Sequence, residues 1–248
     1  MASALYDQIG RGYARSRCAD SRIARAIELA LGDAQHLVNV GAGTGSYEPT
    51  DRRVLAVEPA AEMRAQRPVD SAPCLAAGAE ELPLATASVD AAMAIYTDFH
   101  WRDRSKGIAE MLRVSRDRVI VLTVDRHAAE RFWLTRDYLA GADEMFAPLT
   151  SFTALLPTSA QITPVPIPHD CQDGFVHSYW KRPEDLLDPN RRTTMAMLAR
   201  LPPLTVEAGL RSLRADLESG AWGRRNRELV GLESLDLGHR LVVWRHPT

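Results

Sequence analysis

Five short apolar runs, each closed by a polar residue or a glycine, leave this chain few folds to choose from. They are His36 to Val40, Arg53 to Val57, Ala72 to Ala77, Val89 to Tyr96 and Arg118 to Val124. Ahead of the first, Ser21 to Leu31 sets Ile23, Ala26, Ile27 and Ala30 on one helical face, with Gly32 as a stop. Between the fourth and fifth, Ser105 to Ser115 does the same with Ile108, Met111 and Leu112. Strands covered on both faces read as continuous apolar runs, and helices carry the chain back between parallel neighbours. The pattern predicts an α/β fold with a mostly parallel sheet covered on both faces.

Beyond Asp125 the pattern changes. Ala128 to Ala140, Glu144 to Leu156 and Arg182 to Leu217 read as helical, the last broken at Pro202-Pro203. Ile162 to Asp170 alternates apolar residues with prolines, as an edge strand or an extended loop does. His239 to His246 reads as a final strand. The 248 residues suffice for a full core, and 46% apolar against 25% charged content excludes a disordered chain. No internal repeat or linker divides them, so a single domain is expected.

A net charge of -2 gives no general attraction to nucleic acid or an anionic membrane. The late arginines, Arg191, Arg192, Arg224, Arg225 and Arg227, lie among Glu184, Asp185, Asp188 and Glu228 as on a solvated helical surface. Cys18, Cys74 and Cys171 are odd in number and far apart, which indicates neither a disulfide framework nor a metal site. There is no secretory signal and no membrane-length apolar run, so a reducing cytoplasm is expected. Oligomeric state is not readable.

In an open α/β sheet, ligands sit beyond the carboxyl ends of the strands. At the end of the first run stand Gly41, Gly43 and Gly45, spaced G-x-G-x-G. The dinucleotide fingerprint has glycine or alanine at its sixth position for close helix packing, and Ser46 stands there instead. Pro49 and Asp51-Arg52-Arg53 then leave room for barely a turn of helix, which weakens any pyrophosphate site. A ligand without phosphates needs only the close backbone. Glu58, closing the second run, can accept from both hydroxyls of a ribose and would repel a 2′-phosphate, which argues against NADP. After the third run, Gly78-Ala79-Glu80-Glu81-Leu82-Pro83 offers a free amide and a carboxylate for an adenine edge, with Leu82 and Leu84 beside the ring.

V-G-A-G-T-G, A-V-E-P, G-A-E-x-L-P-L and D-A-A-M-A-I-Y-T stand in order over Leu37 to Val124. The set resembles the class I S-adenosylmethionine-dependent methyltransferases, in particular the type 11 small-molecule group related to the ubiquinone and menaquinone methyltransferases. The resemblance implies a Rossmann-like seven-stranded mostly parallel sheet with a C-terminal helical cap. It divides the chain into an N-terminal arm and helix (1–35), a cofactor-binding half (36–125), a cap and substrate region (126–238) and a final strand (239–248). It also implies S-adenosyl-L-methionine as cofactor, S-adenosyl-L-homocysteine as product, and methyl transfer to O, N or C of a small molecule. An NAD-dependent oxidoreductase and a non-catalytic adenosine-ligand binding protein are the alternatives.

By the same resemblance Gly41, Ala42, Gly43 and Gly45 lie under the methionine part and ribose, and Glu58 with Pro59 holds the ribose. Met63 packs on the adenine; Gly78, Ala79 and Glu80 border its edge; Tyr96 and Thr97 lie near the methionine moiety. Many members carry Asp where this chain has Gly78, so the adenine amino group must find backbone, Glu80 or water. Tyr13, with Tyr6 and Arg17, belongs to an arm that folds over the cofactor.

Methyl transfer to an activated carbon needs alignment, exclusion of water and, for a poor nucleophile, removal of a proton. His100, in Thr97-Asp98-Phe99-His100-Trp101, stands where the methyl group should emerge, as a base or an orienting group; it can equally cap the next helix. Trp101 is read as packing. His169 and Asp170 end the proline-rich stretch where such enzymes cover the acceptor, and one of them is expected to line the site. Nothing near Cys171 marks it as a nucleophile. His177, Tyr179 and Trp180 suit an aromatic pocket or the core, and Asp125 and His127 are weaker candidates. The N/D-P-P-Y loop that grips a flipped base is absent after the fourth run, which argues against nucleic-acid methylation.

Overall fold

The central strands are buried on both sides, and successive residues go to opposite layers. In the computed structural model, which describes residues 12–158 and 160–247, the sheet has seven strands. They are β1 (His36–Val40), β2 (Arg53–Val57), β3 (Cys74–Leu75), β4 (Val89–Ile95), β5 (Ser115–Val124), β6 (Gln161–Pro164) and β7 (His239–Arg245). Their order is β3-β2-β1-β4-β5-β7-β6. Only β7 runs against the rest: it pairs antiparallel with β5 on one side and β6 on the other. This is the Rossmann-like sheet expected.

Leu37, Met93, Ile120 and Leu122 meet Ile23, Ile27 and Leu31 of α1 (Ser21–Leu31) on one face. Their neighbours Val38, Ala92, Val119 and Val121 meet Ile108, Met111 and Val114 of α2 (Arg104–Val114) on the other. The period of two in the strands divides one apolar run between two cores. Asp20 caps α1 by accepting from the Arg22 amide, and Asp103 caps α2 from Lys106.

The chain after β5 is more broken than its composition suggests. Ala128 to Ala140 is two short helices, Arg126–Ala129 and Trp133–Asp137. Glu144 to Leu156 splits at Pro148 into a 3-10 turn, Ala142–Met145, and a helix, Leu149–Thr153. Arg182 to Leu217 is three single turns, restarted at Pro183, at Pro189 and at Ala196, before α3 (Pro203–Glu218). A proline lacks the amide that an interior helical position must donate, so each opens a helix instead of continuing one. Phe132, Trp133, Leu186 and Leu198 from this region, with Trp180 just before Arg182, join the core under α1.

The third apolar run pairs only over Cys74–Leu75. Ile162 to Asp170 divides: its start is the outer strand β6, and Ile167–Pro168 pairs with Ser234–Leu235 in a separate two-stranded ribbon. No described helix is long and apolar enough to cross a membrane.

Candidate functional site

β1 ends in a turn with no helix after it: from Gly41 to Arg52 the backbone forms only turns and bends before β2 begins. The amides of Gly41 and Ala42 both donate to the Val57 carbonyl, 2.8 and 3.0 Å away, which ties the turn to the end of β2. Gly41 has φ +69°, and a Cβ there would lie 2.1 Å from Thr97 Oγ1, so the position excludes any side chain. The turn forms the floor of a cavity of about 520 Å³ at the carboxyl ends of β1, β2 and β4. That volume is within the range of small-molecule and cofactor pockets.

Glu58 is 6% exposed, at the rim of this floor. Its Oε2 accepts from the Gly43 amide and its Oε1 from the Ala60 amide, each at 2.8 Å. Burial pushes its carboxyl above the ordinary carboxylate range, against the pull of the two amides and of Arg64 and Arg67. Behind the turn, Arg67 bonds the Gly43 carbonyl (3.3 Å) and the buried Glu48 (2.7 Å), which also accepts from Asn39 (3.0 Å). Sequence reasoning passed over this support; Glu48 and Arg67 straddle β2 with no local signal.

Met63 lies over the turn, its Cε 3.2 Å from where a Gly43 Cβ would stand, and is buried together with Tyr13 and Ala60. Pro59, Gly78 and Ala79 continue the wall. Glu80 lines it too, but its Oε1 accepts from the Arg102 and Asp103 amides at 2.7 and 3.2 Å and so fastens this loop to the start of α2. Trp101 packs on Gly107, where a Cβ would stand 2.4 Å from its ring, and also lines the cavity. Tyr96, at φ +55°, and Thr97 close the end of β4.

The arm reaches the cavity through Tyr13 and Arg17; Tyr6 lies outside the described residues. Arg17 is committed: Nε and Nη2 donate to the two oxygens of Asp173, and Nη1 donates to Tyr13 Oη at 2.5 Å. Tyr47 adds a bond to Asp173 Oδ2 at 2.9 Å, and the Gly174 amide donates to the Ser16 carbonyl at 2.9 Å. Ser46 Oγ donates to the Arg17 carbonyl at 3.1 Å, so the arm, the glycine turn and the 173–175 loop form one unit. Asp173 carries no sequence signal beyond a turn-like Asp-Gly pair.

Tyr13, Gly41, Ala42, Gly43, Glu58, Pro59, Met63, Gly78, Ala79, Glu80, Tyr96, Thr97 and His100 all line the cavity. Gly45 does not: its amide turns back to the Ala42 carbonyl, and a Cβ there would face Glu48 behind the turn. His100 is buried, and its Nδ1 accepts from Arg200 at 3.1 Å. Burial first, then Arg200 and Arg17, push its pKa down to about 3. With Nδ1 engaged by a guanidinium, that ring nitrogen is taken and does not face a substrate.

His169 and Asp170 are not brought to the cavity. The ribbon carries them outward: His169 Nδ1 lies 3.2 Å from the Glu233 carbonyl, and exposed Asp170 pairs with Arg22 at 2.7 Å. His169→Ala and Asp170→Ala are expected to change stability by no more than about 0.5 kcal/mol. Cofactor affinity should not move; a tenfold loss in titration of either variant would return these residues to the site. Cys171 is buried, accepts from Ser178 Oγ at 3.4 Å, and burial pushes its thiol up to about 11. It is no nucleophile.

A second, smaller cavity of about 60 Å³ adjoins the first, and Arg17, Tyr96 and His100 line both. His177 and His239 line the smaller one, while Tyr179 and Trp180 belong to the core.

A family model described as a methyltransferase domain matches residues 38–123. A solved protein of Anabaena variabilis, named as a methyltransferase of an antibiotic biosynthesis pathway, is 33% identical and superposes with a TM-score of 0.86. The match covers 92% of this chain and 98% of that one. A SAM-dependent methyltransferase of Thermotoga maritima is 21% identical, with a TM-score of 0.55 over 67% and 86% of the two chains. The geranyl diphosphate C-methyltransferase of Streptomyces coelicolor shares 14% identity and a TM-score of 0.50 over 92% and 76%. At those lower identities the likeness is of fold. No curated protein matches the sequence.

Proposed function

The chain belongs to the class I S-adenosylmethionine-dependent methyltransferases, and from that premise we propose that it methylates a small molecule in the cytoplasm. One observation carries the assignment of residues: a buried carboxylate faces a glycine turn that no helix follows. That pairing fits a ribose beside bare backbone and leaves a pyrophosphate without the amides and dipole it needs. It supports the adenosine of S-adenosylmethionine over that of NAD. An exposed, unpaired Cys18 accords with a reducing compartment.

When bound, S-adenosylmethionine supplies a methyl group already activated by its sulfonium. The chain's own residues do the rest. Glu58 holds the ribose hydroxyls, the backbone of Gly41 to Gly43 carries the methionine part, and Met63 covers the adenine with Tyr13 behind it. Gly78 and Ala79 border the adenine edge through backbone, with Glu80 beside them, its Oε1 taken by the start of α2. Tyr96 and Thr97 form the wall toward the acceptor, and the arm held by Arg17 keeps water out. His100, held by Arg200, shapes the wall between the two cavities on the acceptor's side.

Titration of thermal stability tests the cofactor. S-adenosylhomocysteine at a hundred times its dissociation constant should add about 2.7 kcal/mol, which raises the midpoint of a chain this size by roughly 5–11 °C. NAD at the same concentration should do nothing. Stabilisation by NAD alone would overturn the proposal.

A further inference from the structure

The smaller cavity is apolar on most of its wall, with Phe146, Phe175, Met145, Met195 and Met197. Arg17, His100 and Thr194 also line it, and Tyr96, His239 and His177 form a hydrogen-bonded line along its polar edge. Tyr96 Oη lies 2.7 Å from His239 Nδ1, and His239 Nε2 lies 2.9 Å from His177 Nδ1. The line ends at His177 Nε2, which is buried and has no hydrogen-bonding partner among the described residues. His177 is 2% exposed and packs on Phe132 and Phe146, with ring centroids 5.0 and 5.9 Å away. A buried polar atom left unmatched is costly, and because His177 lines this cavity, a ligand that widens it can supply the match.

Burial keeps both imidazoles neutral: His177 is pushed down to about 3 and His239 well below its usual value. Each ring then carries one proton, and the line has two settings. If Tyr96 donates to His239 and His239 to His177, His177 Nε2 presents an N–H. If His177 Nδ1 donates to His239 and His239 Nδ1 to Tyr96, His177 Nε2 presents a lone pair. Both settings keep both internal bonds, because a phenol hydroxyl can donate or accept.

Resting on the methyl-transfer reading, we propose that this cavity is the acceptor site and that His177 selects a neutral, largely apolar ring bearing one hydroxyl group. Three features converge on that chemistry. The wall is aromatic and methionine, and methionine side chains re-pack around new shapes. The cavity as it stands is only about 60 Å³, so a single ring enters as Met145, Met195 and Met197 turn aside. An anion would find no cation to pair with: Arg17 is spent on Asp173. A carboxylate would also meet a neutral imidazole in place of water, and pays its full desolvation.

Phenol, toluene and benzoate are suitable probes, measured by ligand-observed NMR on the intact protein saturated with S-adenosylhomocysteine. Phenol should bind about tenfold tighter than toluene, the worth of one buried hydrogen bond, and benzoate should not compete. His177→Phe should erase the preference of phenol over toluene and leave S-adenosylhomocysteine affinity unchanged. Met195→Trp, filling the cavity from another wall, should block phenol without touching His177. Equal binding of phenol and toluene to the unmodified protein, tighter binding of benzoate, or phenol binding that survives Met195→Trp would each overturn the proposal. Should His177→Phe fail to fold, the unmodified protein and Met195→Trp still decide. Failure of S-adenosylhomocysteine itself to bind would strike the methyl-transfer reading instead.

Discussion

Glu58→Ala is expected to weaken S-adenosylhomocysteine binding by about 10²–10⁴-fold while the unliganded protein stays folded. A hydrogen bond to a charged group contributes about 1.5–3 kcal/mol, and a ribose offers this carboxylate two. The turn suffers as well, since the Gly43 amide loses its acceptor and is no longer held at the cavity floor. The Ala60 amide is buried, so losing its acceptor costs the fold about 1–3 kcal/mol, which leaves the unliganded protein folded but measurably less stable. Glu58→Gln is the sharper control. The glutamine amide can accept from only one of the Gly43 and Ala60 N–H groups and must point its own N–H₂ at the other. Isothermal titration of both variants decides: affinity unchanged in Glu58→Ala would mean that the ribose lies elsewhere. Acid should act in the same direction. The carboxyl is raised by burial, so it takes up its proton, and loses acceptor strength, at a higher pH than an exposed glutamate would.

The second large effect is on stability. Asp173→Ala leaves Arg17 with its charge and no carboxylate, in a setting where the Arg17 side chain is 12% exposed and that of Asp173 is not exposed at all. Breaking a buried pair on one side costs about 3–5 kcal/mol, because the remaining charge has lost both its partner and its water. For a chain of this length that is a fall of roughly 6–20 °C in the thermal midpoint. Tyr47 loses its acceptor in the same stroke, and the arm is released from the 173–175 loop. Cofactor affinity should fall with it, since Tyr13 and Arg17 are part of the cavity wall. Removing both charges, as Arg17→Met with Asp173→Leu, should recover most of the stability and not the affinity. A double variant no more stable than Asp173→Ala would show that the arm is held by something other than this pair.

The sheet and the cavity floor were legible because both are local. β1, β4 and β5 announce themselves as short apolar runs, and residues just past a parallel strand's carboxyl end, such as Gly41, Glu58 and Tyr96, have only one place to go. The rest depended on partners far away in the chain. Asp173 matters because Arg17 arrives beside it, and His177 because His239 does; neither pairing leaves a trace in the residues nearby. His169 and Asp170 lie away from the cavity for the same reason. Their direction is set by a ribbon whose other strand, Ser234–Leu235, is two residues long and unmarked. After Asp125 the prolines outweigh the apolar pattern, since Pro183, Pro189 and Pro203 each open a new helix.

The place of β7 has a consequence for synthesis. It fills the slot between β5 and β6, yet β5 ends at Val124 and β7 begins at His239. At about 5–20 residues per second, a nascent chain spends on the order of ten seconds with β5 made and its neighbour not yet emerged. Throughout that interval the Arg118-Val-Ile-Val-Leu-Thr-Val124 segment shows an unpaired edge, β-rich and with little charge, which is the kind of surface that recruits strands from other chains. Yield of this protein on overexpression should therefore respond to translation speed and to chaperones that shield exposed strands, more than to the stability of the finished fold.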